Sequence, residues 1–255
     1  MDNRPERGRV NDGPAYERVA DELRTAIYAE ALSGRLPSLA GLAARYNVTV
    51  DIARRAVDIL RSEGLLITRQ GSGTYVRRFQ RITRSSPSRL AAEQWAAGRA
   101  IQDADTGVRP RTVDVIVAEV PAPDYVAQAL GTETGAPVLS RSRRFLVDKR
   151  PVQLSQSFIP LDIASDSRIA YTDVGPGGTY GRLAELGHAP VTFTEQLTAR
   201  APRPEEVDRL DLGSSVGATV IEITRYAITE TGRCVEVNRM VLDATAYRLE
   251  YHFNA

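Results

Sequence analysis

The chain has 255 residues, 42% of them hydrophobic and 25% charged, which is ordinary globular composition and leaves room for two domains. No run of 18 apolar residues occurs and the amino terminus, MDNRPERGRVNDG, has no apolar segment, so neither a membrane-spanning helix nor a secretory signal is expected. A single cysteine, Cys234, excludes an intramolecular disulfide or multi-cysteine zinc site and fits a reducing cytoplasm, and two histidines, His188 and His252, leave little for imidazole chemistry.

The net charge of +1 hides an asymmetry: residues 1 to 89 carry +6 and residues 90 to 255 carry −5. A basic amino-terminal part joined to an acidic remainder implies that only the first meets a polyanion. Residues 1 to 13 are polar and basic and are expected to form a disordered arm. Pro14 then opens a helix in which Tyr16, Val19, Ala20, Leu23, Ile27 and Ala31 follow helical spacing, with an exit at Ser33-Gly34-Arg35.

The stretch from Leu36 to Val76 organises the rest. Ser38 can cap a short helix with Leu39, Leu42 and Ala43 on one face, ending near Tyr46-Asn47. Thr49 caps a second helix, whose Ile52, Ala53, Ala56, Val57 and Leu60 recur at three- and four-residue steps up to Ser62, with Gly64 as its stop. Its other face carries Asp51, Arg54, Arg55, Asp58 and Arg61. Leu65 to Ile67 and Thr74 to Val76 then flank the tip Arg69-Gln70-Gly71-Ser72-Gly73 as a hairpin. Helix, turn, helix and hairpin over residues 14–76 predict a winged helix-turn-helix domain. Such modules bind DNA or protein, and a charged helix face is either a nucleic-acid contact or plain solvated surface. Asp51 is either an acceptor for a cytosine amino group or a helix-dipole partner.

These residues resemble the GntR superfamily of bacterial transcription regulators. Its pattern L-P-S-E-R-x-L-A, V-S-R-x-T-V-R-x-A, E-G and G-x-G-T-x-V is matched by Leu36-Pro37-Ser38, Leu42-Ala43, Val48, Arg54, Ala56, Glu63-Gly64, Gly71, Gly73-Thr74 and Val76. The resemblance implies DNA contacts from Ser38, Arg45, Thr49, Asp51, Arg54 and Arg55, and from the wing residues Arg69, Gln70, Gly71, Ser72, Gly73 and Thr74. Three pairs differ: E-R is Leu39-Ala40, S-R is Thr49-Val50 and T-V is Ile52-Ala53, so two arginines fewer reach DNA.

From Arg77 to Arg89, five arginines, serines and a proline read as a linker. A helical piece with Trp95 follows over Leu90 to Ala100. Strands are expected at Arg111 to Val120, Val138 to Val147, Pro151 to Ile159, Thr192 to Arg200, Val216 to Thr229, Cys234 to Leu242 and Tyr247 to Phe253. Helices fall at Pro123 to Leu130, Tyr180 to Leu186 and Pro204 to Leu210. Hairpins with short helices make residues 90–255 an antiparallel α+β domain, so the chain as a whole is α+β.

This second part resembles the UTRA domain of the HutC branch, a chorismate-lyase-like fold. The residues that carry the likeness are Pro121-Ala122-Pro123, Leu130-Gly131, Arg141-Ser142-Arg143, Pro151-Val152, Ser157-Phe158-Ile159-Pro160, Gly175-Pro176-Gly177-Gly178, Leu183 to Gly187, Glu195, Ala199-Arg200, Gly232-Arg233 and Val235-Glu236. In relatives with phosphosugar effectors the Arg-x-Arg strand, backbone just after the linker and a late Glu hold the ligand. The resemblance therefore implies an effector site with Ser85, Ser86, Arg141, Arg143, Gln153, Tyr180, Glu195 and Glu236. Gln153 stands about where sugar-binding relatives have a Glu, and no tyrosine lies six residues after Glu236, so a sugar phosphate is not supported.

Arg141 and Arg143 alternate on one strand face, which requires an acidic answer: either a small anionic ligand or an internal salt bridge to Glu195 or Glu236. The cluster Gly175 to Gly178 lacks the Lys-Ser/Thr of a P-loop and reads as a turn or hinge. No nucleophile-base-acid order and no metal-ligand spacing is present, so neither catalysis, metal nor cofactor is expected. The expected protein is a cytoplasmic, homodimeric repressor that binds a palindromic DNA operator and is released by a small effector, nucleoid-associated while bound. The alternatives are a residual lyase activity in the second domain and a DNA-binding repressor without an effector.

Overall fold

The structure, a computed structural model, describes residues 13–29, 31–69, 71–76, 81–99, 101, 105, 110–213 and 218–252. The arm read at 1–13 lies outside the described residues except for Gly13, as does Gln70. The chain divides into an amino-terminal unit, residues 1–78 with 213–218, and a carboxy-terminal unit, residues 79–212 and 219–255.

The first unit is three helices and a wing: α1 (Ala15–Tyr28), α2 (Leu39–Tyr46), α3 (Val50–Ser62), β1 (Leu66–Arg69) and β2 (Gly73–Val76). Local chemistry sets each boundary. Ser38 Oγ accepts the Gly41 N–H at 3.1 Å and Thr49 Oγ1 accepts the Ile52 N–H at 3.3 Å, so both predicted caps are made. Asn47 turns α2 off in the left-handed region at φ 51°, and Gly64 stops α3 at φ 72°. Val19, Ala20 and Leu23 of α1, Leu42 of α2, and Ala53, Ala56, Val57 and Leu60 of α3 close on one core. α1 ends at Tyr28, before the expected Ala31. β1 and β2 pair antiparallel from Leu66↔Val76 to Arg69↔Gly73, and Gly34 to Leu36 adds an edge to β2: Leu36 N–H donates to Thr74 O and Val76 N–H to Gly34 O, both at 2.7 Å.

The second unit holds β3 (Ile82–Ser85), α4 (Ser86–Leu90), α5 (Ala92–Ala96), β4 (Arg111–Pro121), α6 (Asp124–Leu130), β5 (Pro137–Val147), β6 (Arg150–Pro160), α7 (Leu161–Ala164), α8 (Gly178–Glu185), β7 (Pro190–Arg200), α9 (Pro204–Leu210), β8 (Val220–Thr229), β9 (Cys234–Asp243) and β10 (Tyr247–Glu250). Six strands form an antiparallel sheet in the order β4-β5-β6-β9-β8-β7. The β5–β6 hairpin turns through Asp148 and Lys149 at φ 47° and 69°, the sign that matches strand twist in a two-residue turn.

Two expectations change here. The segment read as linker is structured over its second half: β3 and α4 belong to the second unit, and Ile82, Arg84, Ser86 and Arg89 are buried. The expected last strand is shorter and joins no antiparallel pair; β10 pairs with β3 in parallel, Tyr247↔Ile82 to Glu250↔Ser85. A composition of arginine and serine hid the strand, because the partners that bury it lie near the other end of the chain.

Candidate DNA-binding and effector sites

On the first unit the outer face of α3 is charged but internally balanced. Asp51 and Arg54 pair at 2.9 Å and Asp58 and Arg61 at 3.1 Å, both three residues apart and exposed. The Arg55 guanidinium lies 5.9 Å from the Tyr16 ring centroid, and that of Arg45 5.6 Å from the Tyr46 ring. Ser38 and Thr49, read as DNA contacts, engage their hydroxyls as helix caps. In the wing, Thr68 and Thr74 share a hydroxyl bond at 3.1 Å, Ser72 Oγ meets Tyr75 Oη at 2.7 Å, and Gly71 and Gly73 take positive φ. Such surface pairs are worth about 0.2–1 kcal/mol, so phosphates can displace them at little cost.

The second unit contains a small cavity floored by the central strands β5, β6 and β9 and covered by the start of α8. Arg143 stands opposite Ser155 in the β5–β6 register, and Ser155 and Ser157 stand opposite Met240 and Asn238 in β6–β9. The alternation of a strand thus puts Gln153, Ser155, Glu236 and Asn238 on the cavity side of an otherwise apolar core. Ser155 Oγ donates to Asn238 Oδ1 at 2.9 Å, and an Arg143 Nη donates to Ser157 Oγ at 2.6 Å. Arg89 of α4 enters from the side and pairs with Asp105 at 3.0 Å.

Four buried polar atoms around this space have no hydrogen-bond partner among the described residues: Arg89 Nη1, Arg143 Nε, Thr179 Oγ1 and Glu236 Oε2. Burial pulls the Arg143 pKa downward, with Glu236 opposing it. Burial, and the neighbouring Arg84, bring Arg89 down to about 9 against the pull of Asp105. A guanidinium keeps its proton at neutral pH, so these directions mark cations whose charge is incompletely answered. Leaving such groups unpaired is costly, and an anionic or hydroxylated ligand answers them.

The Gly175–Gly178 turn shapes the cover. Gly177 precedes α8 at φ 79°, and a Cβ there would stand 2.8 Å from the Trp95 carbonyl oxygen, so this position excludes a side chain. Arg141 fixes the segment before the turn: its guanidinium donates to the carbonyls of Ile169, Tyr171 and Thr172, the last at 3.2 Å. Burial and Arg143 lower its pKa to about 10. The acidic answer expected for Arg141 is thus supplied by backbone carbonyls rather than by Glu195 or Glu236.

Of the residues read as the effector site, the structure brings together Arg143, Gln153, Tyr180 and Glu236 around the cavity, with Arg141 in the adjoining hollow, and leaves Ser85, Ser86 and Glu195 outside its lining. Glu195 accepts from Arg84 Nη2 at 2.6 Å, Arg225 Nη2 at 2.7 Å and Ser86 Oγ at 2.6 Å, a buried cluster that reaches Tyr180 through Arg225 Nη1 at 3.4 Å. Burial pushes the Glu195 carboxyl up, but the two guanidiniums and the hydroxyl outweigh it and hold it at about 2. Ser85 Oγ meets Ser88 Oγ at 3.3 Å, and Arg141 lines an adjoining hollow together with Arg143, Thr172 and Gly175 to Thr179. Missed from the sequence were Arg89, Ser155, Thr179 and Asn238. Polar residues at alternate positions of β6 and β9 were the available signal for Ser155 and Asn238; Arg89 and Thr179 had none. Among the described residues no group of three His, Cys, Asp or Glu could hold a metal ion, and no helix is long and apolar enough to cross a membrane.

Residues 15–76 match the model of bacterial regulatory proteins, gntR family, and residues 105–248 match the UTRA domain. An HTH-type transcriptional regulator of Streptomyces coelicolor is 28% identical over 246 residues, covering 93% of this chain and 90% of its own length. A crystal structure of a GntR-family transcriptional regulator aligns at TM-score 0.61 and 30% identity, over 96% of this chain and 99% of that one. PhnF of Mycobacterium smegmatis shares the fold at TM-score 0.58 and 20% identity, over 93% and 99% of the two chains. The chain belongs to the GntR family of bacterial DNA-binding transcription regulators, with the HutC-type architecture of a winged helix-turn-helix followed by a UTRA effector domain, and is not an enzyme.

Proposed function

We propose that this regulator is a cytoplasmic repressor that binds a two-fold operator as a homodimer and leaves it when a small anionic effector fills the cavity of the second unit. The observation that carries the effector half is the ring of unanswered buried atoms, Arg89 Nη1, Arg143 Nε, Thr179 Oγ1 and Glu236 Oε2. Three are donors suited to a carboxylate or phosphate, and Glu236 asks for a hydroxyl or ammonium on the same molecule. The DNA-binding half rests on Ser38, Arg45, Thr49, Asp51, Arg54, Arg55 and the wing from Arg69 to Thr74. One short recognition helix reads few base pairs, so a symmetric pair on a palindrome supplies the specificity. Effector binding releases DNA only if the ligand prefers the arrangement that does not bind the operator. The carbonyls that take the Nη groups of Arg141 favour a structural role for that residue, but its Nε and the four open atoms stay unexplained by such a role.

The test is selection of DNA from a random-sequence library with the full-length protein, followed by a screen of small anions for release of the selected duplex. A palindromic consensus, and release that Arg143→Ala abolishes, are the expected results. An asymmetric consensus would remove the dimer. Release that persists in the Arg143 variant would remove the cavity as its cause.

A further inference from the structure

A winged helix holds DNA through cations that are free to meet phosphates, and in the first unit many are engaged. Arg24 is held by Asp21 and Glu63, Arg54 by Asp51 and Arg61 by Asp58, while Arg45 and Arg55 lie over tyrosine rings. Arg35 is different. It sits on the edge that Gly34 to Leu36 adds to the wing, where Leu36 points into the core at 4% exposure and Arg35 is exposed. Among the described residues no carboxylate lies within ion-pair distance of its guanidinium and no acceptor takes its N–H groups.

The guanidinium has a defined seat nonetheless. A Cβ built on Gly73 would stand 3.0 Å from Arg35 Nε and 3.4 Å from Nη2, so the side chain lies against the bare backbone of the wing turn. Gly73 has φ +111°, a conformation that already favours glycine, and the same missing side chain gives Arg35 its place. The adjoining cleft is lined by Arg35, Ser38, Leu39, Gly73 and Thr74. Arg35 therefore stands between the start of α2 and the wing, two parts of this fold that approach the DNA backbone.

We propose that Arg35 is a DNA phosphate contact of this chain, offset from α3 and supplied from the base of the wing. The proposal rests on the assignment of the first unit as DNA-binding. It accounts for a gap in the recognition surface: position 40, where the family pattern has an arginine, is Ala40 here. Arg54 and Arg61 must leave a carboxylate before they meet a phosphate, whereas Arg35 breaks no ion pair. Its fork offers two parallel N–H groups to one phosphate.

Non-specific binding needs no known operator, so the probe is a random-sequence DNA duplex titrated with the full-length protein between about 50 and 200 mM salt. Arg35→Gln keeps length and polarity but removes the charge; it is expected to weaken binding roughly five- to tenfold and to flatten the slope of log K against log salt by about 0.9 per bound reading head. Arg35→Lys is expected to keep the slope, and both variants to keep the wild-type melting temperature. An unchanged slope in Arg35→Gln, or weakened binding that tracks a lowered melting temperature, would overturn the proposal and make Arg35 a support of the wing. Failure of the wild-type protein to bind any duplex would instead overturn the DNA-binding assignment, and the proposal with it.

Discussion

The two units use arginine in opposite ways. In the winged helix, Arg54 and Arg61 are exposed and each has an acidic neighbour one turn away on its own helix. In the UTRA unit, Arg84, Arg89, Arg141 and Arg225 are almost wholly buried, and their partners come from distant strands and loops. Exposed pairs cost little to exchange, so the first surface can trade carboxylates for phosphates. Buried cations are costly to leave unanswered, so the second unit either pairs them, as Glu195 does, or leaves them facing a cavity. The same side chain is thus a replaceable contact in one unit and a fixed element of the core in the other.

The largest effect is expected where that fixed element is broken. Glu195→Gln preserves shape but leaves Arg84 and Arg225 without their carboxylate, and should cost the second unit about 3–5 kcal/mol at neutral pH by denaturant unfolding. The pH dependence has a defined sign. The folded pKa of Glu195 is about 2, below the ordinary 4.5, so its contribution is fully present above 4.5 and is lost as pH falls from there through 2. The gap between wild type and variant should therefore narrow across that window; a constant gap would mean that the carboxylate charge is not what stabilises the cluster.

Next in size is Arg141→Ala. Removing the donor from the carbonyls of Ile169, Tyr171 and Thr172 should cost about 2–3 kcal/mol, the range of bonds from a charged donor. Faster hydrogen exchange at residues 169–173, ahead of the sheet, would separate this anchoring role from general destabilisation. Uniform exchange across the unit would contradict it.

The first unit should respond more mildly. Thr49→Ala removes the cap of α3 and should lower stability by about 1 kcal/mol, while Thr49→Ser should retain most of it; equal losses in both would argue against the cap. Smallest in stability is Asp51→Asn, at most about 0.5 kcal/mol for an exposed pair. It frees Arg54 and removes a negative charge, so binding to any duplex should tighten and its salt slope steepen. If Asp51 instead accepts from a cytosine, the variant will relax sequence preference at one operator position, which selection from a random library would reveal.

The sequence by itself determined the parts whose causes are local. Ser38, Thr49, Asn47 and Gly64 fix the helix-turn-helix through caps and φ angles within a few residues, and the strand hairpins follow from turn residues and alternation. Gln153 and Glu236 were legible only through the resemblance to UTRA domains, because alternation within one strand does not say which residue of another strand shares its face. Only the tertiary structure decided which charges meet. Arg84 and Glu195 lie 111 residues apart, and the parallel pairing of β3 with β10 brings together the first and last described strands of the unit. Composition records a charge but not its partner, so an arginine-rich stretch read as a solvated linker became a buried strand and helix, and Glu195 moved from the expected ligand site to a buried cluster. Arg35 shows the converse: neither periodicity nor motif singles it out, and only the fold reveals that its guanidinium lies against Gly73 with no ion pair among the described residues.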